Sequence, residues 1–200
     1  MIRVMLAEDQ AMVRGALAAL LAYEPDFSII GTAADGAEAL RMALAEHPDV
    51  LVSDVEMPQM DGIALAQAVK DAGLRTRILM LSTFGRSGYL NRAMKAGAAG
   101  YLLKDAPAET LADAIRTVHA GGRAISPELA VESWQSDDPL NDRERQILKL
   151  AGAGLTSSAI GKRLNLSDGT IRNYLSEAIS KMGAANRIEA ALIAAERGWL

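Results

Sequence analysis

The sequence predicts two domains: an α/β domain whose doubly wound parallel sheet is built from five β-α repeats, (βα)5, and a small all-α domain of four helices. Two patterns support this prediction. Up to about residue 120, apolar runs without polar alternation are interleaved with helical segments, as in parallel sheets that are covered on both faces. After residue 139 only helical periodicity remains. We therefore expect two separately folded parts joined by a linker.

The elements of the front part follow from where the apolar runs begin and end. The strand-like runs cover residues 2–7, 27–32, 50–54, 77–82 and 99–103. The helical segments cover residues 11–22, 36–46, 62–72, 87–96 and 107–120. Pro25 follows the first of these helices and ends it. The front domain is therefore predicted over residues 1–120.

A change of pattern marks the connection between the two parts. Gly121-Gly122 ends the fifth helix, and residues 121–138 are predicted as a linker in which residues 126–134 can form one short helix. The remaining helices are predicted over residues 142–153, 157–164, 168–182 and 186–197. The rear domain is therefore predicted over residues 139–200.

Composition and charge narrow the function classes. The chain has no cysteine, which excludes disulfides and thiolate metal sites and suggests a reducing cytoplasm. No apolar run is long enough to span a bilayer and the N-terminus reads as a strand, so direct membrane insertion is not expected. Nine basic and six acidic residues follow Pro139, so of the net charge of −4 the front carries −7 and the rear +3. This division fits a cation site followed by a polyanion site, although ordinary surface scatter would also produce it.

Polar side chains stand where the predicted strands end. Glu8 and Asp9 follow the first strand, Asp54 ends the third, Ser82 ends the fourth and Lys104 follows the fifth. Ligand sites in open α/β sheets lie at the carboxyl ends of the strands, so these groups should meet at one edge. Carboxylates suit Mg²⁺, whereas an ammonium and a hydroxyl suit phosphate oxygens. The pattern predicts a magnesium-dependent phosphate site.

The acids at this edge differ in their expected roles. Asp54 suits a nucleophile, because a carboxylate can accept a phosphoryl group as an acyl phosphate. Glu8, Asp9 and Asp54 would supply oxygen ligands to Mg²⁺, together with the backbone carbonyl of Glu56. Taken singly, each acid has a simpler explanation as a helix cap or a solvated turn residue. Their joint placement at strand ends favours the site.

Two further side chains would contact the phosphoryl group. Lys104 can pair with one phosphate oxygen, and Ser82 can donate a hydrogen bond to another. Thr83, the next residue, is the alternative hydroxyl, although strand register favours Ser82. Considered alone, Lys104 would be an ordinary surface lysine.

Residues 1–120 resemble the receiver domain of two-component response regulators. The matching motifs are Glu8-Asp9, Asp54-Val55-Glu56-Met57-Pro58-Gln59-Met60-Asp61-Gly62, Leu81-Ser82 and Gly100-Tyr101-Leu102-Leu103-Lys104. The resemblance implies that a sensor histidine kinase phosphorylates Asp54 with Mg²⁺, and that Ser82 and Tyr101 then shift together. The family often has a cis proline after the lysine. Here Asp105 follows, so a cis or trans Lys104–Asp105 bond is left open.

The rear domain shows the spacing of a helix-turn-helix. A short turn at Asn165-Leu166-Ser167 joins two helices. The second helix has an inward apolar stripe of Ile171, Leu175, Ala178, Ile179 and Met182. Polar residues off the stripe are Thr170, Arg172, Asn173, Ser176 and Lys181. Such a helix can enter the major groove of double-stranded DNA, or it can be one element of a plain four-helix packing unit.

The polar residues of that helix have different expected contacts. Arg172 suits guanine and Asn173 suits adenine, with Ser176 on the same side of the helix. Thr170, Lys181 and Lys162 of the preceding helix are predicted to contact phosphates, which position the protein without reading sequence.

The rear motifs resemble the LuxR-type DNA-binding domain. They are Leu140-Asn141-Asp142-Arg143-Glu144, Gly154-Leu155-Thr156-Ser157, Ile160, Leu164-Asn165-Leu166-Ser167, Thr170-Ile171-Arg172 and Lys181-Met182-Gly183. A receiver followed by this domain is identified as a NarL/FixJ response regulator. Residues 169–176 and 186–200 resemble its DesR-like branch, which implies control of membrane-lipid desaturation genes.

The resemblance implies a phosphorylation-regulated transcription factor that is not an enzyme beyond its own phosphotransfer. It also implies a homodimer on promoter DNA, formed either through the first and fifth helices or through the fourth helix, fifth strand and fifth helix. Two other functions fit parts of the pattern. Asp54-Val55-Glu56 resembles the paired acids of aspartate-nucleophile phosphatases, and the helical rear could instead bind protein.

Overall fold

The computed structural model describes residues 1–83, 87–126, 129 and 138–200 of the chain. The chain divides into two compact units: residues 1–85 and 90–132, which carry the sheet, and residues 86–89 and 133–200, which carry the four C-terminal helices. Except for Ser126 and Leu129, the short helix predicted over 126–134 lies outside the described residues. Among the helices that are described, none is both long and apolar enough to cross a membrane.

The first unit contains a six-stranded sheet in which every neighbouring pair is parallel. Its strands are β1 (Ile2–Ala7), β2 (Phe27–Ala33), β3 (Val50–Asp54), β4 (Arg77–Ser82), β5 (Gly100–Leu103) and β6 (Ala124–Ile125). Their order across the sheet is β2-β1-β3-β4-β5-β6. The predicted doubly wound parallel sheet and its five strands are confirmed, and a sixth strand of two residues pairs with β5 at the edge of the sheet. The sixth was missed because two residues carry no periodic signal.

Helices cover both faces of this sheet. They are α1 (Ala11–Ala22), α2 (Gly36–Glu46), α3 (Gly62–Asp71), α4 (Ser87–Ala96) and α5 (Ala108–His119). On one face, Val4 of β1 packs with Leu21 of α1 and Ile115 of α5. Side chains alternate along a strand, so the neighbouring Met5 points to the other face, where it is also fully buried. Burial on both faces explains why the strands read as continuous apolar runs.

The strand order places the predicted site at a switch in chain direction across the sheet. From β1 the chain moves outward to β2, and then returns to the other side of β1 to form β3. Loops that leave β1 and β3 at their carboxyl ends therefore diverge, and a crevice opens between them. Glu8 and Asp9 follow β1, and Asp54 is the last residue of β3.

A glycine lets α3 begin close to Asp54. A Cβ atom at Gly62 would lie 2.1 Å from the carbonyl oxygen of Asp54, so no larger residue fits without moving the backbone. The backbone N–H of Gly62 donates to the carbonyl of Val55 at 2.9 Å, which closes the loop between them. Gln59 lies in this loop with a left-handed φ of 61° and donates from Nε2 to Oδ2 of Asp35 at 3.0 Å. The loop after Asp54 is therefore held at both ends and in the middle.

The second unit contains α6 (Asp142–Gly152), α7 (Ser157–Leu164), α8 (Asp168–Met182) and α9 (Arg187–Glu196). The residue before each helix accepts a backbone N–H bond with its side chain: Asn141, Thr156, Ser167 and Asn186. These caps explain why the helix starts could be read closely from the sequence.

The turn between α7 and α8 is tight. Asn165 ends α7 in the left-handed region with φ 55°, and the next N–H, from Leu166, donates to the carbonyl of Gly161 at 2.9 Å. A Cβ atom at Gly161 would lie 2.6 Å from the carbonyl oxygen of Leu166. Ile171 and Leu175 of α8 are buried as predicted. The turn fixes α8 against α7 with its polar side exposed.

Candidate functional site

Three carboxylates meet at the carboxyl edge of the sheet. Glu8, Asp9 and Asp54 each place one oxygen within 4.8 Å of the others. Glu8 is 1% exposed and Asp54 is 6% exposed, whereas Asp9 faces solvent. Three hard oxygen donors with one open side fit Mg²⁺, which takes few protein carboxylates and keeps several waters. The sequence-predicted acids are thus brought together.

Lys104 completes this cluster. Its Nζ lies 2.7 Å from Oδ2 of Asp54 and 2.7 Å from Oε2 of Glu8. The side chain is only 13% exposed, and its backbone N–H donates to the carbonyl of Ser82 at 2.8 Å. One ammonium therefore contacts two buried carboxylates, which leaves the cluster net negative, and the strand pairing of β4 with β5 sets the position of Lys104.

The protonation balance of the cluster follows from burial. Burial raises the pKa of Glu8 and the pKa of Asp54, and the hydrogen bonds from Lys104 offset this only in part. Burial acts to lower the pKa of Lys104, but its hydrogen bonds to Asp54 and Glu8 outweigh that effect and leave the pKa raised. A cation bound beside the two carboxylates would favour their ionised forms.

The remaining predicted residues of this edge are placed as follows. Ser82 is buried at the end of β4, while Thr83 is exposed, so Ser82 is the better-placed hydroxyl. Tyr101 is fully buried on β5, where it pairs in register with Met80 of β4. The backbone N–H of Glu56 donates to Oδ1 of Asp54 at 3.3 Å. The role predicted for the carbonyl of Glu56 stays a prediction.

The Lys104–Asp105 bond is trans, since the described residues contain no cis peptide bond. The β5–α5 turn therefore does without the cis bond that is common after this lysine in the resembled family. Its backbone is held instead by the bond from Ala106 N–H to the carbonyl of Leu103 at 3.1 Å.

Sequence reasoning missed one residue of this edge. Nη1 of Arg14 in α1 donates to the carbonyl of Glu8 at 2.5 Å and to that of Asp9 at 3.3 Å. The sequence shows only that Arg14 lies off the apolar stripe of its helix, and nothing in it indicates a backbone partner.

On the second unit, the polar side of α8 is open. Arg172, Asn173 and Ser176 are exposed along it. Thr170 is half-buried, with Oγ1 lying 2.8 Å from Oγ of Ser167, and Lys162 of α7 is exposed. Predicted base-reading and phosphate-contacting residues therefore lie near the N-terminal half of α8, the part that can reach base edges.

Arg172 makes one contact within its own helix. Its Nη2 lies 2.6 Å from Oδ2 of Asp168, one turn earlier, and the arginine side chain is 73% exposed. Exposed pairs of this kind contribute about 0–1 kcal/mol, so the guanidinium is easily withdrawn for another partner.

Lys181 makes an ion pair within the second unit. It was predicted to contact DNA phosphate, but its Nζ lies 2.6 Å and 2.7 Å from the two carboxylate oxygens of Glu144. Glu144 is fully buried and also accepts the backbone N–H of Asn141 at 2.8 Å in the capping box of α6. The ammonium therefore compensates a buried charge, and the phosphate contact predicted for Lys181 stays a prediction.

The surroundings of Glu144 agree with this assignment. Burial acts to raise the pKa of Glu144, but the hydrogen bonds from Lys181 and from the Asn141 backbone outweigh it and leave the pKa lowered. Glu144 is thus ionised at neutral pH and needs its lysine.

Two protein families match the chain. Residues 4–116 match the family described as response regulator receiver domain, and residues 138–194 match the bacterial regulatory proteins of the luxR family. The chain is therefore a two-component response regulator with a receiver domain and a LuxR-type DNA-binding domain, and it is a transcription factor rather than an enzyme.

Individual relatives narrow the assignment. The uncharacterized transcriptional regulatory protein YvfU of Bacillus subtilis (strain 168) is 48% identical to this chain, and the match covers 100% of both chains. The transcriptional regulatory protein DesR of the same organism is 43% identical, and the match covers 100% of this chain and 99% of DesR. The crystal structure of ChrA, a response regulator of a heme-sensing two-component system, is 34% identical with a TM-score of 0.59, covering 100% of this chain and 98% of that one. The chain belongs to the NarL/FixJ family of response regulators.

Proposed function

We propose that phosphoryl transfer from a sensor histidine kinase to Asp54 switches this regulator into a homodimer that binds specific promoter DNA. The observation that supports it is the contact of Lys104 with both Asp54 and Glu8, with Asp9 beside them. These four side chains come from three separated chain segments. Burying two carboxylates beside a single ammonium costs free energy, which favours a functional reason for their convergence.

The chemical step needs a nucleophile, a cation and an anion partner. One carboxylate oxygen of Asp54 would attack phosphorus, forming an O–P bond while the bond from phosphorus to the kinase histidine nitrogen breaks. Bound by Glu8, Asp9 and Asp54, Mg²⁺ would neutralise charge on the donor phosphoryl oxygens. Lys104 would move from its contact with Asp54 to a phosphoryl oxygen.

The switch would begin at Ser82 and Tyr101. Ser82 ends the strand next to β3, and a phosphoryl oxygen on Asp54 would draw its hydroxyl toward the site. Tyr101 lies on the adjoining strand and is fully buried. A shift of one would change the space available to the other, so the pair can bias two arrangements of this surface.

Dimerisation would use the face formed by α1 and α5. Among the described residues of the first unit, the large apolar side chains that are exposed are Met1, Met12, Leu20, Tyr23 and Leu44. Three of the five lie on α1 or directly after it, and none lies on α4, β5 or α5. A cavity of about 150 Å³ beside α1, lined by Leu20 and by Leu111 of α5, could take a partner's side chain. This favours α1–α5 over the alternative face.

The DNA-binding unit would dimerise through α9. Ile188 and Leu192, four residues apart on this helix, are 53% and 59% exposed. Two copies would then present two α8 helices to paired half-sites, with Arg172 and Asn173 at base edges. Thr170 and Lys162 would contact phosphates. Two linked units gain affinity from effective concentration, which a single unit with few phosphate contacts lacks.

The cellular setting follows from these partners. Binding of promoter DNA and of a kinase phosphodonor domain would require the protein to be in the cytoplasm. The DesR-like resemblance of residues 169–176 makes membrane-lipid desaturation genes candidate targets.

The test is phosphorylation by a small acyl phosphate with Mg²⁺, read by intact mass. Wild type should gain one phosphoryl group, and Asp54→Ala should gain none while keeping its unfolding temperature. The control Glu46→Gln changes an exposed acid far from the site and should behave as wild type. DNA selection from a random pool should enrich a paired site only with the phosphorylated protein. Turnover of phosphate esters would instead support a phosphatase, and retention of DNA without salt or sequence dependence would refute the proposal.

A further inference from the structure

We propose that Arg14 is a positioning residue: its guanidinium fixes the backbone between β1 and α1 so that Glu8 and Asp9 can share one divalent cation. This inference rests on the proposed function, because it concerns the metal site of the phosphoacceptor centre. It assigns a role to a residue that touches neither the cation nor the phosphoryl group.

The side chain of Arg14 holds two consecutive backbone carbonyls. Nη1 of Arg14 donates to the carbonyl of Glu8 at 2.5 Å and to the carbonyl of Asp9 at 3.3 Å. Its own N–H donates to the carbonyl of Gln10 at 2.9 Å, so the arginine is anchored in the first turn of α1. The guanidinium thus spans the turn that carries both acids.

Glu8 and Asp9 differ in how their carboxylates are held. Glu8 is held by Lys104 and by the N–H of Gln10, which donates to its Oε1 at 3.2 Å. The carboxylate of Asp9 is exposed, and among the residues that the structure describes it has no hydrogen-bond or ion-pair partner. Its direction toward Glu8 and Asp54 is therefore set by its backbone, which Arg14 holds.

Arg14 also affects the site electrostatically. Within the described part of the chain, Arg14 has no carboxylate partner, so its charge is not neutralised. It lies near the start of α1, where the helix dipole disfavours a cation, and beside a site that must bind another cation. Charge alone therefore makes Arg14 unfavourable at this place. If Arg14 favours Mg²⁺ binding, the hydrogen bonds from its guanidinium to the backbone must contribute more than this charge repulsion costs.

Positioning by hydrogen bonds and repulsion by charge predict opposite changes in Mg²⁺ affinity when Arg14 is replaced. If Arg14 acts by position, both Arg14→Gln and Arg14→Lys should weaken Mg²⁺ binding by about tenfold, the lower end for outer partners of metal ligands. If only its charge matters, Arg14→Gln should bind Mg²⁺ more tightly and Arg14→Lys should bind as wild type.

The experiment is a calorimetric titration of the full-length chain with MgCl₂. Arg41→Gln is the matched control, because Arg41 is an exposed arginine on α2 that is away from the site. Unfolding temperatures show whether each variant is folded. As a second readout, acyl-phosphate uptake should need more Mg²⁺ for its half-maximal rate in Arg14→Lys, but should recover at saturating Mg²⁺.

The outcomes separate this inference from the proposed function. If wild type binds no Mg²⁺, or if Asp54→Ala does not weaken binding, the metal site itself is refuted and this inference with it. If wild type binds and both Arg14 variants bind as well or better, only the positioning role is refuted. Loss of uptake that saturating Mg²⁺ does not restore would also contradict it.

Discussion

Replacement of Lys181 by Met separates two roles for this lysine. Its ammonium contacts both oxygens of Glu144, which is fully buried, while the lysine side chain itself is 37% exposed. Breaking a buried ion pair typically costs about 3–5 kcal/mol. Because Lys181 lies at the edge of the domain, where water can partly replace it, we expect Lys181→Met to cost about 2–3 kcal/mol.

The assay is thermal unfolding followed by tryptophan fluorescence. Trp199 is buried in the core of the second unit, so its fluorescence reports the unfolding of that unit. For a domain of this size 1 kcal/mol shifts the midpoint by about 4–8 °C, so a loss of roughly 10–20 °C is expected. The double variant Glu144→Gln/Lys181→Met should recover part of this loss, because glutamine keeps the cap but carries no charge.

The pH dependence of this effect has a definite sign. In wild type the pKa of Glu144 is lowered, so the stabilisation is present above the ordinary pKa and is lost as pH falls through the lowered one. In Lys181→Met, burial without the lysine should raise this pKa, so the variant gains stability as Glu144 takes up a proton. The difference in unfolding temperature between wild type and Lys181→Met should therefore become smaller as the pH falls from 7 to about 4. If Lys181→Met keeps wild-type stability but binds all DNA sequences more weakly, the stabilising role of the ion pair is refuted and the predicted phosphate contact of Lys181 is supported.

Two other substitutions address the proposed surfaces. Arg172→Ala should weaken binding to the selected DNA site by about 1–3 kcal/mol and relax its sequence preference, whereas Lys162→Ala should weaken all sequences alike and lower the salt dependence. Unchanged preference in Arg172→Ala would contradict base reading. Leu20→Glu should keep phosphoryl uptake but leave the phosphorylated protein monomeric in light scattering, while Leu44→Glu, with a similar exposure of 47% against 50%, should still dimerise. Dimers of Leu20→Glu would exclude the α1 face.

Much of this architecture could be predicted because local signals coincide with the elements. Capping residues such as Asn141 and Ser167 mark helix starts, and apolar runs mark strands that are buried on both faces. The acids of the candidate site could be predicted for a related reason, since they stand at strand ends and the parallel topology brings strand ends together.

The features that escaped prediction depend on partners that are distant in the chain or belong to the backbone. Lys181 looks like any lysine on a polar helix face, and only the packing of α6 against α8 reveals its buried partner 37 positions away. Arg14 donates to carbonyls, which every residue has, so no sequence pattern marks it. The strand β6 has only two residues, and its pairing with β5 decides its conformation.

The hydrogen bond from Lys104 to Asp54 joins positions that lie 50 residues apart in the chain. Asp54 ends β3 and Lys104 follows β5, with β4 between these two strands. Contacts of such span form late, because the intervening segments must first be ordered. During synthesis, a ribosome-bound fragment that stops before residue 104 would carry Glu8 and Asp54 without the ammonium that compensates them. If Asp54 is the phosphoacceptor that we propose, its complete site would form only after residue 104 has left the ribosome.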